Sequence, residues 1–127
     1  MKGFVIIFSI SLIFGCANVV APNGGEKDIA PPLLISSKLQ KNNNKLSLSF
    51  EFDEYIQLNM WEENFCISPP IIGSINKSIK KKNLTISIPE EVNQNETYSV
   101  SLNNCIKDLN EGNVIDSLTY LFSKKPF

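Results

Sequence analysis

The sequence predicts an all-β fold, an antiparallel β-sandwich of about seven strands, on three observations. Apolar and polar residues alternate with period two over several short runs, and turn-forming residues separate those runs. The stretch that carries them, Leu33 to Phe127, is 95 residues long, enough for one small sandwich. In the run from Leu46 to Phe52, Leu46, Leu48, Phe50 and Phe52 share one face, and Ser47, Ser49 and Glu51 take the other. Leu84–Ile88 and Tyr98–Leu102 repeat the arrangement, and Leu118–Phe122 turns Leu118, Tyr120 and Phe122 inward. Such alternation suits strands with one face on a core and one in water.

Leu33–Leu39, Phe65–Ser68 and Ile71–Ile79 complete the seven strands. Turn chemistry divides them at Asn42–Asn44, Pro69-Pro70, Lys80–Asn83, Pro89, Asn93–Asn95 and Asn110–Asn113. The segment Glu54–Asn64 fits neither period and reads as a loop with a helical turn. Seven strands at this spacing make the sandwich immunoglobulin-like.

Composition removes several functions. Lys plus Arg number 12 and Asp plus Glu 13, so no basic excess exists for nucleic acid. The chain contains neither His nor Arg, which excludes a His base, a His metal ligand and a bidentate Arg clamp on phosphate. A hydrolase would have to work with carboxylates alone. The expectation is a non-enzyme with no cofactor and no small-molecule substrate.

The first residues read as an address. Met1-Lys2 precedes an uncharged apolar run of 11 residues, Phe4–Phe14, the length of a signal-peptide core and short of the roughly 20 that span a bilayer. Ile13-Phe14-Gly15-Cys16 then looks like a bacterial lipobox, which makes Cys16 the lipidated residue. The competing reading is an uncleaved anchor helix running on through Ala21. Residues 1–15 are thus assigned to a leader. Residues 16–32, with Gly24-Gly25 and Pro31-Pro32, form a tether, and residues 33–127 form the domain.

A family resemblance rests on several strings in order. Cys16-Ala17-Asn18, Pro22–Asp28 and Pro31-Pro32 open the chain, and Phe52-Asp53-Glu54-Tyr55-Ile56-Gln57-Leu58 follows. Ile67-Ser68-Pro69-Pro70, Thr97-Tyr98, the stretch Ile106–Asn113 and Tyr120-Leu121-Phe122-Ser123 continue the match. The chain resembles Bacteroidetes-type lipoproteins that carry a bacterial Ig-like domain of the SbsA type. That resemblance implies the sandwich fold and an envelope location, and no agreed biochemical activity.

Candidate sites follow from the sandwich. Asp53 and Glu54 follow the second strand, and Asp108 and Glu111 follow the sixth. Loops so placed share one pole, where four carboxylates suit Ca²⁺; the alternative is a turn at Asn110–Asn113 with solvated acids beside it. Cys66 and Cys105 enclose 38 residues and read either as two buried free thiols or as a disulfide. Tyr98 reads as a tyrosine corner, whose phenol bonds back to upstream backbone. Trp61, the single Trp, either caps the sandwich or stacks on a glycan. Lys80-Lys81-Lys82 reads as a solvated hairpin turn, and the sequons at Asn76, Asn83 and Asn95 carry no weight for a bacterial chain.

The combined expectation is a lipid-anchored envelope protein at the outer membrane facing the periplasm. It is a non-catalytic interaction or spacer module whose partners are the membrane, through Cys16, and an unidentified envelope protein. The alternative is a divalent-cation or glycan binder that uses the acidic pole and Trp61.

Overall fold

A computed structural model describes residues 25–43, 45–89, 92–93 and 95–124. The lipobox, Cys16 and most of the tether lie outside the described residues. In chain order the elements are β1 (Leu34–Asn42), β2 (Lys45–Phe52), β3 (Ile56–Leu58), α1 (Trp61–Asn64), β4 (Cys66–Ser68) and β5 (Asn76–Lys80). β6 (Asn83–Pro89), β7 (Thr97–Ser101), β8 (Ile106–Asp108) and β9 (Thr119–Ser123) follow.

All pairings between these strands are antiparallel. One sheet runs β1-β2-β6-β5, a second runs β4-β7-β9, and β3 with β8 forms a small two-stranded ribbon. The all-β sandwich expectation therefore holds, with one correction to the strand count. All seven expected strands are present, and β3 and β8 are additional, making nine among the described residues. Each extra strand has three residues, too few for a period to show, and each exists because the other pairs with it, Ile56 opposite Asp108 and Leu58 opposite Ile106. The Ile71–Ile79 expectation also shifts, since the strand there begins only at Asn76.

Period two works as expected in the longer strands. Leu46, Leu48, Phe50 and Phe52 of β2 are buried, and so are Leu84, Ile86 and Ile88 of β6. Tyr98 and Val100 of β7, with Phe122 of β9, face them from the other sheet as part of one continuous cluster. Tyr120 meets Phe50 edge-on at 5.3 Å across the two layers, and within its own sheet Tyr98 stacks on its cross-strand neighbour Phe122 at 5.3 Å. Tyr98 is the expected tyrosine corner. Its hydroxyl accepts from the Asn93 amide at 2.9 Å and donates to Glu96 Oε2 at 3.3 Å.

The irregular segment resolves into β3, then the single-turn helix α1, entered through Met60 in the left-handed conformation at φ 43°. Trp61 is buried, stacked on Phe65 at 4.4 Å, with the Lys77 ammonium 5.4 Å from its ring. Both neighbours come from the domain itself. Trp61 therefore caps the sandwich, and the glycan-stacking alternative is corrected, because little indole remains for a sugar to cover. Lys77 also bonds Glu62 of α1, which ties the helix to β5.

Candidate functional site

Among the described residues, the pole that holds the β2–β3 connection and the loop after β8 gathers most of the side chain to backbone hydrogen bonds. The β3–β8 ribbon builds it by setting Asp108 opposite Ile56, and the Leu109 amide donates to the Tyr55 carbonyl at 2.9 Å. The expected meeting of Asp53, Glu54, Asp108 and Glu111 at one end therefore occurs, but the four acids do different work.

Asp108 is buried and acts as the hub of its loop. Its Oδ1 accepts from the amides of Glu111 and Gly112, and its Oδ2 accepts from the Asn113 amide at 2.9 Å. Its own amide donates to the Asn113 carbonyl at 3.0 Å. Gly112, at φ 78°, supplies the left-handed step that aims these amides inward. Burial pushes the Asp108 pKa up. The three backbone donors and the Glu111 side chain outweigh that push, so the group lies below the usual carboxylate value. A carboxylate so committed is a loop organiser, and this corrects its expected role as a metal ligand. The turn reading of Asn110–Asn113 holds.

Asp53 is likewise occupied. Its Oδ1 accepts from the Leu33 amide at 2.8 Å, and its amide donates to the Leu33 carbonyl at 3.0 Å. Lys82 reaches over the same bend, donating to the Asp53 carbonyl at 3.0 Å with its ammonium 5.9 Å from the Tyr55 ring. At least one lysine of the expected solvated turn is thereby structural.

Glu54 and Glu111 remain, and a third acid joins them from a place the sequence reading had assigned to the tether. Carboxylate oxygens of Asp28, Glu54 and Glu111 lie within 4.8 Å of one another. Asp28 is held there by Asn113, whose Nδ2 donates to the carbonyls of Asp28 at 3.0 Å and Ala30 at 3.1 Å. Residues 28–33 thus lie against the sandwich, and Pro32 is buried. Neither Asp28 nor Asn113 carries a local signal for this role, because the contact joins residues 85 positions apart.

Burial and crowding raise the proton affinity of Glu54 and Glu111. For Glu54, burial comes first and the charges of Asp108, Asp53, Asp28 and Glu111 follow. For Glu111, burial comes first again, followed by the Asp108 charge, a hydrogen bond to the Asp108 side chain and the Asp28 charge. Such a triad can share protons or accept a hard cation. Two oxygens that each lie about 2.4 Å from a Ca²⁺ ion are at most about 4.8 Å apart. Asp28, Glu54 and Glu111 are the residues here able to hold one.

Among the described residues both cysteines are free, Cys105 buried and Cys66 exposed. This corrects the disulfide alternative, and it corrects half of the buried-thiol alternative as well. The expected neighbours do pair, β4 with β7, but Cys66 sits opposite Ser101, while Cys105 lies four residues further on, past a turn. Burial pushes the Cys105 thiol up, and its Sγ donates to the Asn103 carbonyl at 3.5 Å. That environment makes it an inert core residue.

A profile of the bacterial Ig-like domain matches residues 28–123, which begins at Asp28 and takes in every strand described above. The chain belongs to this family. A search of the curated proteins returns no match. As a bacterial Ig-like domain, the matched unit starts where Asn113 clasps the chain, five residues before the expected boundary at Leu33, so Asp28–Pro32 fall within it. Membership also fits a non-catalytic interaction or spacer module, since such a domain contributes surfaces and reach, with function residing in what is grafted on it.

Proposed function

We propose that the chain is a lipid-anchored interaction or spacer module of a bacterial envelope, held at the outer membrane and facing the periplasm. Cys16 carries the acyl chains, residues 17–27 give reach, and the Ig-like domain presents its loops and sheet edges to an envelope protein. The observation that carries this reading is the family match over Asp28–Ser123, in a chain that carries the Ile13-Phe14-Gly15-Cys16 string ahead of it. Several acyl chains at about 0.8 kcal/mol per buried methylene hold a small domain to a bilayer without a spanning helix. Among the described residues no helix is long and apolar enough to cross a membrane.

Mass spectrometry of the mature N-terminus tests the anchor. The expected result is an acylated Cys16 with residues 1–15 removed, and release of the Cys16→Ser variant from membranes. A bare thiol on an intact leader would refute it.

A second reading rests on the Asp28–Glu54–Glu111 triad, a divalent-cation role at the pole. Millimolar Ca²⁺ is then expected to raise the melting temperature, and Glu111→Gln to abolish the rise. A flat titration removes this reading.

A further inference from the structure

Edge strands are sites of unwanted pairing, and proteins defend them with lysine, proline, bulges or short length. Three edges here are defended. β1 shifts register between Leu34 and Ser36 and carries Lys38 and Lys41. β5 places Lys77 and Lys80 within five residues, and β4 stops after three. β9 is different. Its sequence Thr119-Tyr120-Leu121-Phe122-Ser123 contains no lysine and no proline, its register against β7 is unbroken, and β7 is its one strand partner among the described residues. Leu121, at its centre, is 59% exposed.

We propose that β9 pairs with β9 of a second copy, antiparallel about a two-fold axis at Leu121, joining two three-stranded sheets into one. This names a partner for the interaction-module reading and rests on it. The strand is self-complementary under that operation. Leu121 meets Leu121 on the outer face, Thr119 meets Ser123, and Tyr120 meets Phe122 on the inner face. Aromatic and small-polar cross-strand pairs are the kind that stabilise a sheet, and no like charges oppose each other within the ladder. Tyr120 is half-buried and Phe122 buried, so pairing extends the existing core.

An isologous contact of this type closes as a dimer and does not propagate into a filament. A ladder of five residues lies at the small end of interfaces, below the roughly 1,200 Å² of stable complexes. The dimer is therefore weak, forming in solution as concentration rises, and tethering to one surface favours it further by raising the local concentration.

Cross-linking tests the geometry. In the full chain carrying Cys16→Ser and Cys66→Ser, Leu121→Cys is expected to form a disulfide dimer under mild oxidation at least about tenfold faster than Ile35→Cys, which is equally exposed on β1. Equal rates overturn the proposal. Sedimentation equilibrium of the otherwise unaltered chain is expected to show mass rising with concentration. Leu121→Lys sets like charges on the axis and is expected to remain monomeric with an unchanged circular dichroism spectrum. A monomer at every concentration, or an undiminished Leu121→Lys dimer, overturns the proposal. Cross-linking in intact cells separates it from the reading beneath it, because an envelope partner captured elsewhere on the domain, with no Leu121 dimer, refutes β9 pairing alone.

Discussion

The β2–β6 layer and the acidic pole are held together by different forces. In the layer, Leu48, Phe50, Phe52, Leu84, Ile86 and Ile88 are fully enclosed, and the stabilisation is non-directional burial that many apolar side chains would supply. At the pole, one buried carboxylate and one amide side chain organise the loop after β8 and residues 28–30 through directed hydrogen bonds. Burial tolerates exchange of one hydrocarbon for another. A hydrogen-bond hub tolerates almost nothing, because each orphaned donor must be satisfied again.

Phe50→Ala should produce the largest effect. It opens a cavity under Tyr120 and should cost about 3–5 kcal/mol by chemical denaturation, a large part of a small domain's total stability. Asp108→Asn should come next and should act differently. It removes one of the two acceptor oxygens, so hydrogen exchange should accelerate at the amides of Glu111, Gly112 and Asn113 while β2 and β6 amides stay protected. Uniform acceleration of both regions would mean that the pole and the layer form one cooperative unit.

Asn113→Ala should cost about 1–2 kcal/mol for two lost hydrogen bonds. Its sharper signature is local: protease cleavage between Asp28 and Leu33 should increase without a change in the sheet spectrum.

The smallest effect is the response to pH, and its two parts have opposite sign. Glu54 and Glu111 have raised folded pKa values, so the cost of burying their charged forms beside the other acids is fully present at neutral pH, and stability rises as pH falls through those values toward the ordinary glutamate range. Asp108 has a lowered folded pKa, so its contribution is present above the ordinary aspartate value and is lost as pH falls through the lower folded one. Thermal melts should therefore show a maximum in mild acid. Glu111→Gln should flatten the neutral side and leave the acid side largely in place.

Alternation in β2, β6, β7 and β9 identified the inward faces from sequence, since a strand with one wet face must repeat every two residues. The role of Tyr98 was legible from Thr97-Tyr98 at a strand start, the place of a tyrosine corner, since its partner lies only five residues upstream. Sequence reasoning missed β3 and β8, which have no period to detect, and it left Trp61 divided between a cap and a ligand platform because burial on an irregular segment depends on Phe65 and Lys77 arriving from outside. It counted Asp108 among metal ligands because residue type alone does not distinguish a carboxylate facing solvent from one facing three amides.

Local chemistry, then, determined the class of fold, the sheet faces, the turn at Gly112 and the exclusion of His and Arg chemistry, because periodicity, backbone strain and composition are properties of neighbours in the chain. Tertiary structure decided which acids converge, where the domain begins and which strand edge lies undefended. Asp28 meets Glu54 and Glu111 only after residues far apart in sequence are folded together, and a carboxylate's role is set by the donors and charges that then surround it.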